Sequence, residues 1–139
     1  MGYEPIAKVI SLSDTDMTLA NSADDIRGRR VFDSSGEEVG EIDDLLIDDR
    51  EKRVRFMRIA SGGFLGIGSQ KTLIPIDAIT RIDDKLVHIN LTRDRVAGAP
   101  AYNPQLVAED YYANLYGYYG LAPFWGTGYI YPAYPLFPR

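Results

Sequence analysis

Residues 62–72, GGFLGIGSQKT, hold four glycines and a lysine followed by a threonine, the residue types that cradle phosphates. A phosphate-binding loop of the G-x-x-x-x-G-K-[ST] kind needs the lysine directly after its second glycine and a helix opening behind it, so that backbone amides and the ammonium converge on the anion. Gly63 and Gly68 have the right separation, but Ser69 stands in the lysine position. A dinucleotide fingerprint fails as well, because Lys71 occupies the place of its third glycine. The segment that follows, TLIPI, reads as a strand. The spacing therefore predicts a glycine-hinged connection between strands, with Phe64, Leu65 and Ile67 packed on the fold or offered to a partner.

A second candidate is the acidic run of Glu41, Asp43, Asp44, Asp48 and Asp49. It lacks the Asp-x-Asp-x-Asp-Gly spacing of a calcium loop, and no histidine or nucleophile stands near it in sequence. Arg50, Lys52, Arg53, Arg55 and Arg58 follow at once, so the pattern predicts cross-strand charge pairing on the wet side of a hairpin. The single histidine, His88, falls on the polar-facing parity of its strand and reads as a surface residue. With no cysteine and one histidine in the chain, thiolate chemistry and an imidazole metal cluster are excluded. No catalytic, cofactor-binding or metal-binding residue is expected, and an enzyme is the least favoured class.

The elements that would position these groups are short. In 139 residues there is one core with room for an appendage. Residues 29–32, 38–42, 45–47, 54–60, 72–76 and 86–91 read as strands, separated by the turn signals DSSG, DDREK and DDK. Residues 54–60 break strict alternation, which predicts a bulge or burial on both faces. Thr92 is placed to cap one helical turn over 93–96. Close spacing of short strands predicts a small antiparallel barrel.

Composition changes sharply beyond residue 100. Every tyrosine but Tyr3 lies at Tyr102 or later, and after Asp110 the only charged side chain is Arg139. Asn103 and Pro104 could open a short helix in which Leu106, Val107, Tyr111 and Leu115 recur at helical spacing, with Gly117 at its end. The rest of the tail has too much glycine and proline for regular structure. Three parts result: an N-terminal arm (1–23), a β domain (24–100) and an aromatic extension (101–139). The tail must pack on its own domain or on another chain. Tyr111, Tyr112, Leu115, Tyr116, Tyr119, Phe124 and Trp125, together with the loop residues Phe64, Leu65 and Ile67, are the candidate partner-binding residues.

Three motifs, IRGRRVFDSSGEEVGEIDDLLID (26–48), GGFLGIGSQKTLIPIDAI (62–79) and LVHINLTRDRVAGAP (86–100), resemble the PRC-barrel domain. That family includes the cytoplasmic domain of the photosynthetic reaction centre H subunit and the C-terminal domain of a ribosome maturation factor. The resemblance implies a mainly β fold, a six-stranded antiparallel barrel used as an adaptor without cofactor or catalytic residues. The stand-alone bacterial members fit best, because neither a membrane helix nor an added N-terminal domain is found here. The expected partner is protein, with a homodimer favoured. The net charge of −5 disfavours nucleic acid, though Arg27, Arg29, Arg30 and the basic group at 50–58 keep a ribosome-linked role as the alternative. Peripheral contact with a photosynthetic or other membrane complex is a further alternative. No signal segment or membrane span is seen, so a soluble cytoplasmic protein is expected.

Overall fold

The computed structural model describes residues 9–15, 25–60, 71–103, 107, 110–132 and 134. Seven strands form one sheet: β1 (Val9–Ser11), β2 (Arg30–Phe32), β3 (Glu38–Asp48), β4 (Val54–Ala60), β5 (Lys71–Pro75), β6 (Ile79–Ile82) and β7 (Leu86–Ile89). The hydrogen-bonded order is β5-β4-β3-β2-β7-β6, and β1 pairs with β3 off this path. Among the described residues, two α-helices follow, α1 (Arg93–Ala97) and α2 (Tyr111–Tyr119).

The mainly β class stands, and three details of the expected barrel are corrected. The sheet is not purely antiparallel, since β2 runs parallel to β7 with Arg30 opposite Leu86 and Phe32 opposite His88. The segments 38–42 and 45–47 are one strand of 11 residues, whose pairing with β4 shifts register at Asp43 on β3 and at Arg55 on β4. The ring is also not closed by a ladder among the described residues. β5 and β6 end the path, joined by the 3₁₀ turn Ile76–Ala78, whose N-cap is Pro75. Proline offers no N–H to a ladder, and donors from the C-terminal extension take β5's carbonyls instead. Tyr102 N–H donates to Lys71 O at 3.0 Å and the Tyr119 hydroxyl to Leu73 O at 3.1 Å. A covered edge of this kind cannot template further pairing.

The N-terminal arm contributes β1, with Val9 opposite Asp48 and Ser11 opposite Leu46. Strand β6 lies where the sequence pattern gave no strand. Its buried ends, Ile79 and Ile82, enclose the exposed Thr80 and Arg81.

Local chemistry explains several joints. Gly40 lies where β3 passes close to β4: a Cβ there would come within 2.7 Å of the Ala60 carbonyl oxygen. The buried Asp33 carboxylate accepts from the N–H groups of Ser35 and Glu37, shaping the β2–β3 turn, and from Arg93 N–H at the start of α1, each at 2.8 Å. Thr92 caps α1 by accepting from Arg95 N–H, as its sequence position predicts. The core runs through every strand of the ladder path, with Val31, Leu45, Phe56, Ile74, Ile82 and Val87 fully or almost fully buried.

Candidate partner surface

Helix α2 is built to lie on an apolar face. Tyr112, Leu115, Tyr116 and Tyr119 recur three or four residues apart and are all buried. Phe56 of β4 meets Tyr112 and Tyr116 with ring centroids 5.3 Å apart in each case. The helix runs two residues past Gly117 and stops at Gly120, whose φ of +73° is the left-handed conformation that favours glycine. Tyr118 ties α2 to α1: its hydroxyl donates to Arg95 O at 2.6 Å, and Arg95 donates back to Tyr118 O.

Beyond Gly120, residues 121–132 form an irregular strap over the Val54 end of β4 and the turn before it. Its centre is Arg55, which is 2% exposed although it lies in a charged stretch of sequence. The guanidinium sits 4.3 Å from the Phe124 ring centroid, 5.3 Å from Tyr131 and 5.9 Å from Tyr129. Its Nε donates to Asp48 at 2.7 Å, and a second nitrogen reaches Glu51. Burial disfavours the cation, but the two carboxylates outweigh it and raise the guanidinium's pKa further. The expectation of solvated charge pairs is therefore corrected for this pair: Asp48 is fully buried with its arginine. Both faces of β4 are covered and its ladder to β3 skips Arg55, so both expected causes of its broken alternation are present.

The strap is secured by two further hydroxyls. Tyr131 donates to Val54 O at 3.2 Å, and Tyr129 donates to Asp77 Oδ2 at 2.7 Å. Among the described residues, the other oxygen of Asp77 is buried without a hydrogen-bond partner, as is the Tyr116 hydroxyl. Burial pushes the Asp77 carboxyl above the usual carboxylate range, against the Tyr129 hydrogen bond and the positive charge of Arg55. Burial likewise raises the phenols of Tyr112, Tyr116, Tyr119 and Tyr129 above the ordinary tyrosine value.

Of the candidate partner-binding residues, Tyr112, Leu115, Tyr116 and Tyr119 face the chain's own sheet, while Tyr111, Phe124 and Trp125 are half-buried. Phe64, Leu65 and Ile67 lie outside the described residues; the strands flanking them are antiparallel neighbours, with Ala60 opposite Lys71. Sequence reasoning missed Arg55, Asp77, Tyr129 and Tyr131. The one available signal was an uncharged tail that needs a second apolar face, next to a strand that does not alternate.

Several of the remaining charged groups are paired. Arg58 meets Asp43 at 2.8 Å and Asp44 at 3.7 Å, and Lys71 also reaches Asp43. Arg27 meets Asp25 at 2.6 Å and Arg30 meets Glu38 at 2.7 Å. An open cleft of about 930 Å³ beside β2 mixes Arg27, Arg29, Arg30 and Lys85 with Asp25, Asp83 and Asp84. Half-buried His88 approaches Asp83 at 3.4 Å. Among the described residues no three His, Asp or Glu converge as metal ligands, and no helix is long and apolar enough to cross a membrane.

A mixed, bulged sheet with its open edge and one flank covered by an aromatic extension defines a small all-β module. The family model for the PRC-barrel domain matches residues 20–96, more than half of the chain. The protein belongs to the PRC-barrel family, whose domains generally mediate protein interactions. No curated protein matches the chain.

Proposed function

We propose that this protein is a non-enzymatic adaptor that acts by binding protein, and that one of its partners is a second copy of itself. The observation that carries this reading is the surface of the strap. Residues 121–132 hold no charged side chain, Phe124, Trp125, Tyr129 and Tyr131 are only half-buried, and Ile130 is 83% exposed between two tyrosines. Uncharged aromatic surface of this composition is what anchors protein interfaces. Of the cations that a ribosome-linked role would need, Arg27, Arg30, Arg55 and Arg58 are held in ion pairs with carboxylates, which weakens that reading.

Sedimentation equilibrium of the full chain across a hundredfold concentration range tests self-association. A concentration-dependent dimer is expected; a monomer at every concentration rejects it. A thermal-shift screen with nucleotides and divalent metals tests the non-enzymatic part, with no stabilisation expected. Reproducible stabilisation by one of these ligands would reopen the enzyme class.

A further inference from the structure

The strap is attached differently from the rest of the protein. Between described residues, its backbone hydrogen bonds close locally: Leu121 N–H to Tyr116 O, Gly126 N–H to Pro123 O and Tyr129 N–H to Gly126 O. None of these reaches a strand. Its hold on the sheet comes from side chains, namely the Tyr129 and Tyr131 hydroxyls, the rings around Arg55, and Trp125 set edge-on to Tyr116 at 5.6 Å. Side-chain docking without a ladder leaves an element that can lift as a unit while the sheet stays intact.

A hinge stands at its start. Gly120 is left-handed, and Ala122 is followed by Pro123, so the chain leaves α2 through residues outside any regular element. Lifting the strap would bare Tyr116 and the ring-covered face of Arg55, which is paired with Asp48. That groove accepts an uncharged aromatic segment, and its rim offers Val54 O and Asp77 as acceptors for two tyrosine hydroxyls. The segment shown to satisfy all of these features is the strap itself.

The geometry points to strap exchange between two copies: residues 121–132 of each chain dock in the Arg55 groove of the other, turning at Gly120–Pro123. An identical element exchanged through a hinge makes a dimer with no new contact chemistry. The cation then meets Phe124 and Tyr131 from the second copy. This inference rests on the self-association proposed above and gives that association a definite site.

The test uses full-length protein. Isotope-labelled and unlabelled chains are mixed, unfolded and refolded together, and concentrated until sedimentation shows dimer. Isotope-filtered NOE spectra then report contacts between copies only. Cross-peaks between the Phe124 ring and the Arg55 side chain, and between Trp125 and Tyr116, are expected between copies. In parallel, Tyr131→Ser combined with Phe124→Ser should abolish the dimer while the far-ultraviolet spectrum retains its β signature. A dimer whose Phe124–Arg55 contact is seen only within one copy, or which survives the double substitution, overturns strap exchange and leaves self-association standing. A chain that stays monomeric overturns both.

Discussion

Arg55 holds its charge in a dry site because two carboxylates and three aromatic rings surround it. Removing one member of a buried pair leaves the other uncompensated, which generally costs about 3–5 kcal/mol. Arg55→Met should therefore lower stability by about that amount in urea titrations and shift Trp125 emission to the red as the strap loosens. Arg55→Lys should recover little of the loss, because an ammonium cannot stack as a planar guanidinium does. Asp33 shows the opposite use of a buried carboxylate. Burial alone would raise its pKa, but N–H donors from Glu37, Arg93 and Ser35 outweigh this and lower it. Its contribution is then fully present above the unfolded carboxyl pKa of about 3.9, and it is lost as pH falls through the lower folded value. Asp33→Ala should cost about 2–3 kcal/mol near neutrality, a difference that narrows toward pH 3. Asp77 has the reverse sign. Its folded pKa is raised, so its favourable contribution exists at low pH and disappears as pH rises through the folded value. Asp77→Asn still accepts from Tyr129 and carries no buried charge. Its melting temperature should equal or exceed that of the parent at pH 7, with the advantage gone at pH 4. A clear loss at pH 7 would show that the carboxylate is needed for its charge.

At the scale of elements, the two halves of the tail differ in how they are tied. Helix α2 carries its own hydrogen bonds, buries four side chains and covers the β5 edge. Between described residues, the strap's backbone bonds are local and its grip on the sheet is through side chains. Native-state hydrogen exchange should therefore find residues 121–132 opening at a small fraction of the free energy needed to open β3 and β4. Equal protection in strap and central strands would show that the strap is an integral part of the cooperative unit. The helix itself was partly legible: Leu115 is buried and Tyr111 half-buried, but α2 starts behind Asp110 and not behind Asn103, since Val107 is not helical. Its end was misplaced at Gly117, since an exposed glycine inside a helix and a glycine that stops one look alike in sequence. The stop is decided by which of them takes positive φ.

At the scale of the whole molecule, the net charge is −5, and Arg27, Arg30, Arg55 and Arg58 are engaged by carboxylates. Release of counterions from phosphates needs free cations. The full chain should therefore show no retention on immobilised RNA even at about 50 mM salt; retention that fades with added salt would restore the ribosome-linked alternative. Parallel pairing of β2 with β7 and recruitment of β1 by β3 also belong to this scale. Their partners are distant in sequence. No turn chemistry announces them.

What the sequence determined by itself was local. Turn residues and β-branched runs placed most strands, Ser69 in place of lysine removed the phosphate loop, Thr92 marked a helix start, and the loss of charge after Asp110 marked a tail in need of an apolar surface. Only the tertiary structure decided which surface that is. The Tyr131 hydroxyl meets the carbonyl of Val54, 77 residues away, and in doing so the tail turns a charged strand position into the buried Arg55. Periodicity records how a strand's two faces differ when water covers one of them. Where the chain's own far end replaces that water, an arginine that reads as solvent-facing becomes the clasp of the fold.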